Sequence, residues 1–216
     1  MGLFAELRDA CAPTWQAYVD HEFVRCLGDG SLPEGAFKDY LVQDYLFLIQ
    51  FARAYALSGY KAQSVDDLRG AHEALGAILN ELPLHERLCA RWDLTPDELA
   101  MAEEKSATVA YTRFVLDVGM SGDLLDLNVA LAPCVIGYAE IGQALAPRLA
   151  ANPEHRFGEW IAEYAGEAYQ HSADVATARL DDLMDQPLSS SRRSQLERTF
   201  ATATRCEAQF WQSALA

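Results

Sequence analysis

Half of this 216-residue chain is hydrophobic, enough for one large domain or two small ones with a substantial core. Its formal net charge of -15 makes nucleic acid and anionic membranes poor partners. No uncharged apolar run reaches the about 18 residues that a membrane span requires, so none is expected. Every predicted element is a helix. The first covers 3–28, with Pro13 expected to interrupt it, and ends at Gly28-Asp29-Gly30-Ser31-Leu32-Pro33. The second covers 34–60, up to a break around Gly59. The third covers 65–91, with an interruption expected at Pro83, and stops before Asp93-Leu94-Thr95-Pro96. Thr95-Pro96-Asp97-Glu98 reads as an N-cap, a proline at the first helical position and acids in the first turn. It opens a fourth segment over 95–120, closed by Gly119-Met120-Ser121-Gly122. The fifth covers 123–151, up to Asn152-Pro153. The sixth covers 154–185, up to Gln186-Pro187, and the seventh 190–215. With no strand-like alternation, repeat or linker, a single all-α domain over residues 1–216 is expected. These segments, about 25 residues each, exceed the usual helix length. Several are apolar on more than one face, which predicts several packing neighbours and an oligomer interface.

The cysteines are Cys11, Cys26, Cys89, Cys134 and Cys206, an odd number without a CxxC pair. That argues against a disulfide framework and a structural zinc site, and favours a reducing, cytoplasmic compartment. The opening Met1-Gly2-Leu3-Phe4-Ala5-Glu6 lacks the basic and long apolar regions of a signal peptide. It also lacks the Ser or Thr of a myristoylation signal, so neither is expected.

Cys134 directly follows Pro133 inside an otherwise apolar helical segment. Proline in a helix interior loses a hydrogen bond and clashes with the carbonyl four residues back. A kink or broken turn is therefore expected. A helix restarting at Pro133 would place Cys134 where the helix dipole favours a thiolate. The alternative is a core cysteine serving as a small hydrophobe.

Polar groups on apolar stripes narrow the candidates further. In the second segment Phe37, Tyr40, Leu41, Asp44, Phe47, Leu48, Phe51 and Tyr55 recur at helical spacing, and Asp44 is the only charge. In the last, Glu207 is the only charge among Phe200, Ala203, Phe210, Trp211 and Ala214. Cys134 and Tyr138 share a stripe with Leu127, Leu131, Ile141 and Leu145. Tyr111 lies on a stripe with Thr108, Phe114 and Val115, and Tyr164 on one with Phe157, Trp160, Ile161, His171 and Val175. A lone carboxylate on such a face must be paired, hydrogen-bonded or protonated. Together these groups would supply a nucleophile, an acid/base, a ring-binding acid and aromatic walls. Each also has a purely structural explanation: core tyrosines with satisfied hydroxyls, and buried acids serving them. Glu81 and His85, and Glu167 and His171, are spaced by four, so no Glu-x-x-His pair of the di-iron type exists and no metal is expected.

With these residues in view the chain resembles the TenA / thiaminase II family over nearly its full length. Ala132-Pro133-Cys134, Tyr138 and Glu140-Ile141-Gly142 resemble the family's nucleophile segment. Phe37-Lys38-Asp39-Tyr40-Leu41-Val42-Gln43-Asp44 resembles its F-x-x-Y-x-x-Q-D stretch. Trp160-Ile161, Tyr164-Ala165 and Glu167 resemble its W-I-x-x-Y-A-x-x-E stretch, and Glu207-Ala208-Gln209-Phe210-Trp211 its E-x-x-F-W ending. The resemblance implies a heme-oxygenase-like helical bundle, a homotetramer, and cofactor-free hydrolysis of an aminomethylpyrimidine, or of thiamin, to hydroxymethylpyrimidine. It implies Cys134 as nucleophile, Glu207 as proton shuttle and Asp44 as the carboxylate holding the ring. Tyr111, Tyr138 and Tyr164 would be pocket hydroxyls and Phe210 an aromatic wall. Phe47 departs from the pattern, because the family commonly has tyrosine there; this leaves the choice between thiamin and aminopyrimidine open. The competing readings are an oxidase or oxygenase on the same fold, using heme, a di-iron site or a quinone precursor, and a non-catalytic pyrimidine-binding protein.

Overall fold

The computed structural model describes residues 2–184 and 187–216. Asp185 and Gln186, where the sequence predicts the sixth segment to end, lie outside them. Among the described residues the chain forms eleven helices and no strand. Four predicted segments are single helices: α4 (Glu34–Lys61), α5 (Val65–Arg91), α8 (Leu124–Ala151) and α11 (Ser190–Ala214). The first divides into α1 (Leu3–Ala10), α2 (Ala12–Val19) and α3 (Glu22–Asp29). The fourth divides into α6 (Pro96–Met101) and α7 (Ser106–Ser121), and the sixth into α9 (Gly158–Ala165) and α10 (Glu167–Asp182).

The divisions have local causes. At Cys11 the backbone leaves the helical region, and Pro13 sits in the first turn of α2, where a missing N–H costs nothing. His21 Nδ1 accepts the Phe23 N–H at 3.2 Å to cap α3, and the helix ends at Gly30 with φ 81, which glycine adopts without strain. Thr95 caps α6 and Pro96 opens it, as the sequence predicts, and Thr95 and Glu98 together form a full capping box. The break after α6 has a tertiary cause. Gln43 donates to the Glu103 carbonyl at 3.0 Å and accepts the Lys105 N–H at 2.8 Å, pinning the connection into α7. Gly166 is extended (φ -66, ψ 150) and separates α9 from α10.

Two expected interruptions do not occur: α5 continues through Pro83, and α8 through Pro133. A proline inside a helix costs about 3 kcal/mol. In α8 tertiary packing offsets this, since 83% of its most apolar stretch is buried. That helix is long and apolar enough to cross a membrane, but its burial marks it as a core helix. It is the one such helix among the described residues. Along α5, close packing against α4 holds the helix together across Pro83.

The chain divides into two compact units, one made of Met1–Leu32 and Asn128–Gln212, the other of Pro33–Leu127 and Ser213–Ala216. In the first, aromatic rings fill the core. Trp15 stacks on Phe200 at 5.7 Å, and Phe23 stacks on Trp211 at 4.8 Å. In the second, α4 is the axis, packed by α5, α6 and α7, with Phe37 against Trp92 at 4.8 Å.

Candidate active site

In the first unit α8 carries Cys134 and Tyr138. Cys134 is half-buried. It does not begin a helix, so the expected helix-dipole activation of its thiol is absent. The Pro133 carbonyl instead accepts the Tyr18 hydroxyl at 3.3 Å. A Cβ on Gly137 would lie 2.2 Å from the Tyr18 ring, so glycine is what allows that ring to reach the turn bearing Cys134. Glu140, one turn beyond Gly137, accepts from Arg8 Nη1 at 3.3 Å and Trp15 Nε1 at 3.2 Å, tying α8 to α1 and α2. Gly142 admits the backbone of α9: an added Cβ would stand 2.4 Å from the Tyr164 carbonyl carbon and 2.5 Å from its oxygen. Gln170 closes the contact by donating to the Tyr164 carbonyl at 2.7 Å and the Ala139 carbonyl at 3.0 Å.

This approach brings Tyr138 and Tyr164 together, with ring centroids 4.8 Å apart. Trp160 lies 6.0 Å and Trp211 5.1 Å from Tyr138, and Phe210 is 6.2 Å from Trp211. Glu207 sits on α11 one turn before Trp211, 1% exposed. Burial and the neighbouring Glu207 carboxylate push the Cys206 thiol up to about 11. Burial likewise raises the Cys11 thiol, and that of Cys89 to about 12. These three cysteines are poor thiolates near neutral pH. Of the two half-buried ones, Cys26 and Cys134, only Cys134 shares a helix face with a candidate-site tyrosine.

In the second unit Asp44 on α4 is 4% exposed. Its Oδ2 accepts the Tyr40 hydroxyl at 3.0 Å and lies 3.6 Å from His85 Nδ1. Burial raises its carboxyl above the ordinary range, while the His85 charge and the Tyr40 hydrogen bond pull it back. Phe47, one turn on, lies 5.1 Å from the Tyr111 ring of α7. Gln43 accepts the Thr108 hydroxyl at 2.6 Å, one turn before Tyr111. The glutamine of the F-x-x-Y-x-x-Q-D stretch thus orients the helix that carries Tyr111.

The eight sequence-derived residues therefore fall into two sets. Cys134, Tyr138, Tyr164, Glu207 and Phe210 belong to the first unit, and Asp44, Phe47 and Tyr111 to the second. The stripe drawn through Tyr164 stops at Gly166. Beyond it His171 and Val175 are exposed and do not continue the buried stripe. Sequence reasoning gave no structural role to His85, Gln43 or Tyr18, whose partners are distant in the chain and leave no periodic signal. Among the described residues no group of three or more His, Cys, Asp or Glu could hold a metal ion.

The helical architecture defines the class. A domain from Shewanella denitrificans with a heme oxygenase-like fold aligns with TM-score 0.78 over 98% of this chain and 91% of its own, at 10% identity. The sequence pattern of the TENA/THI-4/PQQC family matches residues 8–216, and the chain belongs to that family. An aminopyrimidine aminohydrolase of Halalkalibacterium halodurans is 37% identical over 215 residues, covering 99% of this chain and 96% of the relative. A crystal structure of a TenA family transcription regulator from Silicibacter sp. TM1040 is 41% identical. It aligns with TM-score 0.94 over 99% of this chain and 96% of that one.

Proposed function

We propose that the chain is an aminopyrimidine aminohydrolase of thiamin salvage or degradation, converting aminomethylpyrimidine to hydroxymethylpyrimidine, with thiamin as a further substrate. The observation that carries this reading is the pair of carboxylates, Asp44 and Glu207, buried on otherwise apolar helix faces at the family's motif positions. A structural role alone leaves two such costly groups without a use. Asp44 binds the amidine-like edge of the ring and favours its protonated, electrophilic form. The Cys134 thiolate adds to that ring, forming a C–S bond. Glu207 gives a proton to the amine, which leaves as ammonia, then takes one from the water that adds at the exocyclic methylene. The C–S bond breaks and the thiolate returns, so the sum is substrate plus water giving alcohol plus ammonia. Tyr111, Tyr138 and Tyr164 supply hydroxyls, and Phe47 and Phe210 supply ring walls. No cofactor takes part.

In this reading residues 1–216 work as one domain, supported by the single family match over residues 8–216. The assembly is a homotetramer. Its support is the second unit's exposed apolar surface, with Tyr60 86%, Met101 82% and Met120 68% accessible. A cytoplasmic setting is supported by the free thiols of Cys11, Cys26, Cys89 and Cys206. The test is a panel of thiamin, aminomethylpyrimidine and its N-formyl form, followed for release of hydroxymethylpyrimidine. Release from none of them removes the hydrolase reading, and light scattering that finds a monomer removes the tetramer.

A further inference from the structure

His85 on α5 places its two ring nitrogens on two different residues of α4. Nε2 lies 2.8 Å from the Leu41 carbonyl oxygen, and Nδ1 lies 3.6 Å from Asp44 Oδ2. A carbonyl only accepts, so Nε2 carries hydrogen. The neutral ring would then turn a bare Nδ1 lone pair towards a carboxylate oxygen, inside a region where both side chains are 5% exposed. That arrangement is repulsive unless one proton is shared by the pair, either as imidazolium and carboxylate or as imidazole and carboxylic acid. Tyr40 donates to the same Oδ2 at 3.0 Å, so both contacts fall on one oxygen of Asp44. The Tyr45 ring stacks on His85 at 6.4 Å and fixes its plane.

Resting on the aminopyrimidine reading above, we propose that His85 is the positioning residue for Asp44: held on the Leu41 carbonyl, it keeps the carboxylate charged and turned by Oδ2, leaving Oδ1 for the amidine-like edge of a pyrimidine. The other titratable groups around the pair are Tyr40 and Tyr45 on α4 and Cys89 and Glu86 on α5. None of these is a cation, so the counter-charge falls to His85. The Cys89 thiol registers the Asp44 charge, being pushed up in part by that carboxylate. The plain alternative is a core histidine satisfied by Leu41 alone, which the geometry of Nδ1 does not need.

The experiment uses His85→Gln, whose amide N–H still reaches towards the Leu41 carbonyl but presents no titratable group to Asp44. His85→Asn serves if that variant does not fold. Ligand-free protein labelled with carboxyl-¹³C aspartate is titrated by NMR, and the Asp44 resonance is the one absent from Asp44→Asn. Losing an adjacent cation moves the Asp44 titration to higher pH, by about one unit or more. An unmoved titration overturns the proposal. Calorimetric binding of hydroxymethylpyrimidine across pH is the second readout. The acid limb moves up with the carboxyl, whereas uniform weakening at every pH marks a merely structural residue and also overturns the proposal. If the Asp44 titration responds to His85 but the wild type binds no pyrimidine at any pH, the coupling stands and the aminopyrimidine reading falls.

Discussion

Replacing Gly142 with alanine tests whether the close approach of α9 to α8 sets the tyrosine pair. The new Cβ would meet the Tyr164 carbonyl carbon at 2.4 Å, its oxygen at 2.5 Å and the Ala165 nitrogen at 2.7 Å. All three are backbone atoms, so no side chain can swing aside, and α9 must move or α8 must bend. Overpacking of this kind costs about 1–3 kcal/mol. Against it, alanine in a helix interior gains up to about 1 kcal/mol over glycine. With contacts this short the cost takes the upper part of its range, and the net loss is about 1–2 kcal/mol. For a chain of this length that lowers Tm by about 2–8 °C. Gly76 in α5 is the internal control, because nothing lies within 4 Å of its added Cβ. Gly76→Ala therefore keeps the propensity gain alone and raises Tm slightly. Thermal unfolding followed by far-ultraviolet circular dichroism reads both variants, and hydroxymethylpyrimidine release reads the site. Gly142→Ala should lose turnover as Tyr164 is pushed from its 4.8 Å contact with Tyr138, while Gly76→Ala should not. If Gly142→Ala is as stable as Gly76→Ala, the Gly142 contact does not govern the packing of α9.

Three further outcomes are expected. Cys134→Ser should abolish turnover while leaving the affinity for hydroxymethylpyrimidine within a few-fold, because serine is similar in size but scarcely ionised; near wild-type turnover would refute the covalent step. Glu207→Gln should cut kcat by about 10²–10⁴ with little change in product affinity, the usual worth of a general acid/base; an affinity loss of the same size would make it a binding residue instead. Asp44 gives a pH signature. Its folded carboxyl titrates above the unfolded one, so the folded state holds its proton more tightly, and this contribution is full below about pH 4 and is lost as pH rises through the raised value. Denaturant unfolding should thus show Asp44→Asn gaining on the wild type from pH 4 upward; a difference constant across pH contradicts the burial cost.

The boundaries of α4, α5, α8 and α11 were legible because their causes are local, a proline or glycine near the end. The extra breaks were legible only where the local signal is strong, as at Pro13. The break between α6 and α7 depends on Gln43, about sixty residues earlier, which no window along the sequence can see. Pro83 and Pro133 failed in the opposite sense. Their local penalty is real, and packing overrules it. The same division holds for the site. Asp44 and Glu207 stood out as charges on apolar stripes, a pattern of period 3.6. His85 did not, because its meaning comes from Leu41 and Asp44 on another helix. The packing roles of the glycines at 137 and 142 were not legible either, since they consist in leaving room for Tyr18 and for the backbone of α9.

The buried polar groups of the second unit divide by how well the protein itself satisfies them. Gln43, Thr108 and Thr112 are joined to backbone and to each other by hydrogen bonds of 2.6–3.0 Å, so they cost little and stiffen the approach of α7 to α4. Asp44 is different. Tyr40 and His85 both address one of its oxygens, and its carboxyl stays raised in spite of them. An apolar side chain at that position would avoid the desolvation, and replacing buried charges by well-packed apolar groups is often neutral or stabilising. Stability therefore does not explain the aspartate. On the reading proposed above, its use is to bind a ligand that completes its shell with an N–H and a protonated ring nitrogen, a pair of donors that an aminopyrimidine offers on one edge. On that same reading the desolvation of Asp44 is a cost carried by the free protein and offset when the substrate binds.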